Sequence, residues 1–292
     1  MFRFRLRAMT PRIDAHQHFW RIARGDYAWL TPALGAIYRD FNPEDLAPHL
    51  AAHGIAATIL VQAAPTHAET AFLLDLADKT AFVAGVVGWT EFAAPGADAA
   101  IARLADDPLL VGLRPMVQDI DDDDWLMRAE LAPAFDAMIA HRLVFDALLK
   151  PRHLRRLIAV LERHPQLLVV VDHAAKPAIG SGADAAWRSD VAAVAQFSNV
   201  ACKLSGLVTE APSNWTVDDL RPYVEHLLTC FGAERLIWGS DWPVVNLAAD
   251  YRRWISTAEQ LMAGLDVSAQ ALVFGGNAVG IYLSHRGKTI EC

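Results

Sequence analysis

The chain has 292 residues, of which 53% are hydrophobic and 21% charged, and its formal net charge is −8. This composition excludes an intrinsically disordered chain, and the negative balance without a basic run argues against a nucleic-acid partner. The longest apolar runs are too short to cross a membrane, and the arginine-rich start lacks the apolar segment of a secretory signal. The three cysteines lie far apart, so neither a disulfide framework nor a zinc ribbon is indicated, and we expect a cytoplasmic protein.

Eight short apolar runs alternate with helical patterns along the chain. Most of the runs are continuous rather than alternating, as in strands of a parallel sheet that is covered on both faces. The predicted strands are residues 13–16, 57–62, 82–89, 111–116, 143–146, 167–173, 200–205 and 236–241.

The segments between these runs have amphipathic helical patterns. In the first of them, Asn42 is a good N-cap, Pro43 suits the first helical position and Gly54 is a typical stop. Further helices are predicted at residues 68–78, 97–105, 129–141, 151–164, 184–196, 217–230 and 249–262. Eight such units predict an α/β fold of the (β/α)8 TIM-barrel type. A doubly wound sheet is the alternative, but no G-x-G-x-x-G follows the first strand.

The chain has no linker and no low-complexity segment, so we expect one domain at residues 11–292, preceded by a flexible arm at residues 1–10. The long aromatic insertion at residues 21–41 should lie over the mouth of the barrel. The tail at residues 269–283 should add an extra C-terminal helix.

Polar side chains cluster where the predicted strands end, which is where TIM barrels carry their catalytic groups. His16 and His18 lie two residues apart after the first strand and should point the same way. Two converging imidazoles can hold a metal ion or a reacting oxygen. Asp241 ends the last strand in a Gly-Ser-Asp sequence, and His173 ends the sixth.

Other strand ends supply candidates for binding a substrate. Arg114, Lys176 and Gln62 can bind hydroxyl or carboxylate groups. Lys203 is unusual inside an apolar strand, and it either pairs with a carboxylate such as Asp146 or reaches outward. Four tryptophans could stack on a ring of the substrate, namely Trp20, Trp29, Trp89 and Trp242.

Four sequence elements, taken in order, resemble the amidohydrolase superfamily. They are I-D-A-H-Q-H-F-W, V-D-H-A-A-K-P, C-K-L-S-G-L and W-G-S-D-W-P. Within the superfamily the chain looks like the sugar-lactonase branch, which includes L-fuconolactonase and L-rhamnonolactonase types and, more distantly, 2-pyrone-4,6-dicarboxylate lactonases. The resemblance runs from Ile13 to about Leu283.

The resemblance implies that His16, His18 and His173 line the site and that Asp241 deprotonates the attacking water. Two-metal members of the superfamily also carry a bridging Lys or Glu on strand four and a histidine on strand five. This chain has neither, so a two-metal centre is not expected. Either His16, His18, His173 and Asp241 hold one divalent ion, with zinc the expected metal, or the histidines polarise the carbonyl without metal.

The resemblance therefore implies a lactonase-type hydrolase that opens a small sugar lactone, either a 1,4- or a 1,5-aldonolactone. A metal-dependent decarboxylase of the same superfamily and a non-catalytic sugar-acid binding protein are the alternatives. The expected partner is a small-molecule lactone, with no nucleic acid and no membrane, and a homodimer is the default for such barrels.

Overall fold

Eight parallel strands follow one another in chain order around a barrel in the computed structural model, which describes residues 10–181 and 184–284. The strands are β1 (Arg12–Gln17), β2 (Ile55–Val61), β3 (Val83–Gly88), β4 (Leu110–Leu113), β5 (Val144–Ala147), β6 (Val169–Val171), β7 (Val200–Leu204) and β8 (Leu236–Trp238). Gln17 forms a parallel bridge with Trp242, which brings the end of β8 back to β1. The TIM barrel is confirmed, and the doubly wound alternative is wrong.

Among the described residues, one α-helix follows each of the eight strands. These helices are α1 (Pro43–His53), α2 (His67–Asp78), α3 (Ala97–Ala105), α4 (Ala132–Ala140), α5 (Leu154–Arg163), α6 (Ala185–Val194), α7 (Val217–Phe231) and α8 (Tyr251–Met262). The predicted start of α1 holds, because the backbone N–H of Asn42 donates to Asp45 in a capping box. Residues 129–131 and 151–153, predicted as α-helix, form 3-10 turns instead. No helix among the described residues is long and apolar enough to cross a membrane.

The apolar core has two layers. The larger lies between the strands and the surrounding helices. The smaller fills the barrel itself and includes Val144, Val170 and Ala201 from three neighbouring strands. Side chains two residues further along each strand also point into the barrel, one layer nearer the carboxyl ends of the strands.

The C-terminal segment closes the other end of the barrel. It starts as a short helix, α9 (Val267–Ala271), and continues in π-helical turns at Leu272–Gly276 and Val279–Leu283. The side chain of Asn277 donates 2.7 Å hydrogen bonds to the carbonyls of Ala233 and Leu236, which lie before and at the start of β8. The predicted single helix is interrupted at Gly275, where a Cβ would lie 1.9 Å from the carbonyl oxygen of Pro11.

The insertion at residues 21–41 lies over the mouth of the barrel, as predicted. It contains 3-10 turns at Ile22–Arg24 and Pro32–Ile37. The indole N–H of Trp29 donates to the carbonyl of Ala63 at 2.7 Å, and the hydroxyl of Tyr27 donates to Glu69 at 2.7 Å. These contacts fasten the insertion to the segment that follows β2. Residues 1–9 of the predicted arm lie outside the described residues.

Candidate active site

Three charged side chains form a buried layer inside the barrel. Asp146, Asp172 and Lys203 each lie two residues beyond an apolar residue of the inner core, one layer nearer the mouth. Nζ of Lys203 lies 2.5 Å from Oδ2 of Asp146 and 3.0 Å from Oδ1 of Asp172. Lys203 therefore points into the barrel and pairs with Asp146. All three side chains are fully buried, so each charge depends on its partners.

The four predicted catalytic side chains come together around one carboxylate oxygen. Oδ1 of Asp241 lies 3.3 Å from Nε2 of His18, 3.7 Å from Nε2 of His16 and 3.9 Å from Nε2 of His173. Nδ1 of His18 lies 2.8 Å from the carbonyl oxygen of Val61, to which it can only donate. This hydrogen bond orients the ring of His18 so that Nε2 faces Asp241.

The charge states follow from burial and from these neighbours. Burial by itself raises the pKa of Asp241, but His173, His18 and His16 more than offset this and hold that pKa below its usual range. Burial lowers the pKa of His173 to about 4, and burial together with Lys203 holds the pKa of His16 well below its ordinary value. At neutral pH the site therefore has an ionised Asp241 beside neutral His16 and His173.

Unusual backbone conformations concentrate at the site. Four consecutive residues, from His173 to Lys176, have φ between 52° and 58°, and Asp241 has φ 58°. Non-glycine residues adopt this left-handed region at a cost of about 1–2 kcal/mol each. This left-handed backbone turns the chain sharply after β6, so that His173 and Lys176 face the mouth of the barrel.

Gly206 makes room for His173. A Cβ at this glycine would lie 2.5 Å from Nδ1 of His173, and φ is +63°. The same nitrogen forms a 2.9 Å hydrogen bond with Oγ of Ser205. A glycine is therefore required next to Ser205 for the imidazole to keep this orientation.

Arg114 is held by a set of buried contacts. Its guanidinium donates to the backbone and side-chain oxygens of Gln62, to Asp172 at 3.2 Å, and to Nε2 of His16 at 3.3 Å. The side chain of Gln62 in turn donates to the carbonyl of Arg114 at 2.9 Å. Gln62 is fully buried and contacts the arginine instead of lining the cavity, so it positions Arg114.

A cavity of about 300 Å³ opens above these groups. His18, His173, Asp241 and Arg114 line its floor, and Trp29 and Lys176 are among its walls. Sequence reasoning missed Glu210, whose carboxylate lies 3.5 Å from Nζ of Lys176. Glu210 lies in a short 3-10 turn after β7, where no sequence pattern marks it.

Three of the predicted tryptophans do not line this cavity, and of these Trp20 is fully buried. Trp89 lines a neighbouring cavity rather than this one. Trp242 is 2% exposed and packs against Phe19 and Phe41, so its indole lies in the core rather than on the cavity.

Comparison with known families gives one match that spans almost the whole barrel. Residues 13–283 match the model described as amidohydrolase. The chain belongs to the amidohydrolase family. The match includes all four elements that suggested this resemblance in the sequence.

Individual amidohydrolases are similar over nearly their full lengths. An L-fucono-1,5-lactonase of Burkholderia ambifaria is 51% identical over 94% of this chain and 96% of its own. An L-fucono-1,5-lactonase of Burkholderia multivorans is 38% identical over 93% of this chain and 95% of its own. A crystal structure of a Burkholderia multivorans amidohydrolase with bound zinc is 38% identical, has a TM-score of 0.87, and covers 93% of this chain and 99% of that one.

The donor set of this amidohydrolase fits a single divalent cation, which would take the place of the hydrogen bond from Arg114 at Nε2 of His16. Ligand atoms of His16, His18 and Asp241 lie within 4.8 Å of one another, as do those of His16, Asp172 and His173. Two imidazole nitrogens with one carboxylate form the kind of set that holds a catalytic zinc and leaves a position open. In the second of these groups, Lys203 and Arg114 lie within 3.2 Å of Asp172. These two cations already compensate the negative charge of Asp172.

Proposed function

We propose that the protein hydrolyses a sugar lactone, with L-fucono-1,5-lactone as the first substrate to test. The observation that carries the proposal is the ionised Asp241 among three histidines, at the floor of a cavity that also presents Arg114 and Lys176. The 51% identity to an L-fucono-1,5-lactonase supports the choice of substrate. The cavity of about 300 Å³ is of the size that small ligands occupy.

The reaction needs three operations on the lactone. Water attacks the carbonyl carbon, the ring C–O bond breaks, and the departing alkoxide takes up a proton. Asp241 is placed to orient the water and accept its proton, and the same proton can then pass to the ring oxygen. Arg114 lines the cavity, and the positive charge of its fixed guanidinium can stabilise the negative oxygen that develops on the carbonyl.

The low pKa of Asp241 makes it a weak base, so it benefits from an electrophile beside it. We propose that His16, His18 and Asp241 hold one zinc ion, which would act as a Lewis acid near the carbonyl oxygen. His173 completes the floor of the site, where Ser205 fixes its ring. Lys176 and Glu210 at the rim offer a donor and an acceptor to substrate hydroxyl groups.

A pH-indicator assay with L-fucono-1,5-lactone and a panel of other aldonolactones tests this function. Acid release above the spontaneous rate is expected for at least one lactone, and Asp241→Asn should lower kcat at least 1,000-fold. Asp136→Asn, which changes an exposed carboxylate beside His164, is the matched control and should keep full activity. Absence of enzymatic acid release from every lactone would refute the proposal.

Metal dependence is measured separately on the same protein. Metal analysis is expected to find about one zinc per chain, and a His18→Ala variant should bind zinc more weakly in a competition with a chromogenic chelator. Equal zinc content in the wild type and in this variant would exclude the assigned ligand set. Such a result would not affect the proposed lactonase activity, which the acid-release assay tests independently.

A further inference from the structure

A second, apolar cavity lies beside the catalytic one. Its volume is about 390 Å³, and it is bounded by the segments that follow β2, β3 and β4. Its apolar lining includes Trp29, Trp89, Phe92, Met116, Ile120 and Trp125. This volume exceeds that of the catalytic cavity, and the proposed attack of water on a lactone makes no use of it.

The polar side chains at the edge of this cavity already have partners. Oγ1 of Thr66 accepts the backbone N–H of Glu69, and Oγ1 of Thr90 lies 2.9 Å from Nε2 of His67. The three carboxylates of the lining also have hydrogen-bonding partners. These are Asp26 with Arg24, Glu91 with the backbone of Ala93, and Asp119 with Gln118. Each carboxylate keeps some acceptor capacity, but the surface of this cavity is mainly aromatic and aliphatic, so an apolar group would exchange water for aromatic contact there.

Trp29 is the wall that the two cavities share. Its indole N–H is fixed on the carbonyl of Ala63, and its ring meets that of Trp20 edge-on at 5.5 Å, yet its side chain remains exposed. The backbone after β4 also runs from one cavity to the other, because Arg114 lines the first while Pro115 and Met116 line the second. The two cavities therefore adjoin at Trp29 and along the segment after β4, where a substituent on a ring bound over Asp241 would pass.

We infer that this cavity is a subsite for an aromatic or short alkyl group carried by the substrate. The inference rests on the proposed lactonase function and extends it to lactones that have an apolar arm. The ring occupies the catalytic cavity, and the arm packs on Trp29, Met116 and Ile120. An unsubstituted ring leaves the subsite empty.

Two lactones that differ only in the arm give the direct test. δ-Valerolactone has no arm, and δ-nonalactone has a butyl arm on the same ring. We expect a KM for δ-nonalactone at least tenfold lower in the wild type, and loss of this advantage in Met116→Asp, which places a charge in the subsite. Ile120→Trp, which fills the cavity, should have the same effect. Both variants should hydrolyse the unarmed lactone within twofold of the wild type.

The control variant is Val267→Asp, which introduces the same charge at a position that is 83% exposed. It should leave both KM values unchanged, and thermal melts establish that each variant is folded. Equal KM values for the two lactones in the wild type would overturn the subsite. The subsite would also be overturned if Met116→Asp and Ile120→Trp raised the KM values for the two lactones equally.

Binding of a lactam separates the subsite from the lactonase function, because the amide analogue of δ-nonalactone resists hydrolysis. Calorimetric titration should show binding to the wild type that weakens at least tenfold in Met116→Asp. If no lactone is hydrolysed but this binding pattern is found, the subsite stands and the lactonase function falls. If lactones are hydrolysed but the lactam binds both proteins equally, the subsite falls alone.

Discussion

The hydroxyl of Tyr282, near the end of the described chain, donates a 2.7 Å hydrogen bond to Oδ1 of Asp146 in the middle of the barrel. The other oxygen of Asp146 accepts from Lys203, and Nζ of Lys203 lies 3.2 Å from Nδ1 of His16. Tyr282 is fully buried and enters from the end of the barrel opposite the cavity. The C-terminal segment is thus connected to a proposed catalytic histidine through two charged side chains.

Tyr282→Phe should therefore affect catalysis from a distance. The ring still fills the core, but Asp146 loses one hydrogen bond, so we expect a loss of about 1–2 kcal/mol in the free energy of unfolding. Because Asp146 holds Lys203, kcat should fall about three- to tenfold with KM nearly unchanged. Steady-state kinetics and urea denaturation measure both effects. Tyr223→Phe, in α7, is the control, and an equal fall in kcat in both variants would contradict the connection.

Gly206→Ala should abolish most activity, whereas Gly54→Ala should not. Both glycines have φ +63°, so each alanine costs about 1–2 kcal/mol of backbone strain. A Cβ at Gly54 meets no atom within 4 Å, whereas one at Gly206 would lie 2.5 Å from Nδ1 of His173. We expect the larger loss of stability for Gly206→Ala, because the imidazole must move, and a fall of at least 100-fold in kcat/KM for this variant alone. Similar kcat/KM values for the two variants would show that the close approach to His173 has no catalytic importance.

Lys176→Met should weaken substrate binding without impairing the chemical step. Lys176 lines the catalytic cavity and is paired with Glu210, so we expect KM for the sugar lactone to rise about five- to tenfold while kcat stays within twofold. The control is Lys79→Met, which breaks an exposed pair with Asp75 on the outer surface. A change confined to kcat would instead place Lys176 in the chemical step.

Glu69→Gln should remove a pH dependence of stability. Burial raises the pKa of Glu69 to about 7, despite hydrogen bonds from Tyr27 and Ala63 and the nearby charge of Arg24. The folded protein therefore binds a proton that the unfolded chain releases between about pH 4.5 and pH 7, so stability falls as pH rises through this window. The cumulative effect is roughly 3 kcal/mol at about 1.4 kcal/mol per pKa unit.

Urea denaturation of both proteins at pH 5 and pH 7.5 measures this difference. The wild type should lose stability relative to Glu69→Gln as the pH rises. Parallel pH dependences in the two proteins would show that the buried carboxyl is not the source.

The barrel and the floor of its site follow from local patterns in the sequence. Continuous apolar runs mark the strands, and the ends of parallel strands meet at one edge, which is why the sequence alone groups His16, His18, His173 and Asp241. These features depend only on strand direction and on where each strand ends. The sequence leaves open whether Lys203 pairs with Asp146 or reaches outward, and the structure shows the pairing.

Other features depend on contacts between distant segments, which no local pattern encodes. The interruption at Gly275 reflects the close approach of Pro11, and the hydrogen bond of Tyr282 depends on how deeply the tail enters the barrel. The burial of Trp242 depends on Phe19 and Phe41 from another part of the chain. A tryptophan looks the same in the sequence whether it packs in a core or lines a cavity. Only the fold shows that Trp242 is buried and that Trp29 lines the cavity.

The junction between β8 and β1 is made largely by the proposed catalytic residues themselves. The backbone N–H of Asp241 donates to the carbonyl of His16 at 2.7 Å, and that of His18 donates to the carbonyl of Trp242 at 2.8 Å. Residues that follow the first and the last strand thus supply the proposed catalytic groups and also the hydrogen bonds that close the barrel. A barrel that opened along this one junction would keep its seven other strand ladders and much of its helical signal, yet it would have no catalytic centre.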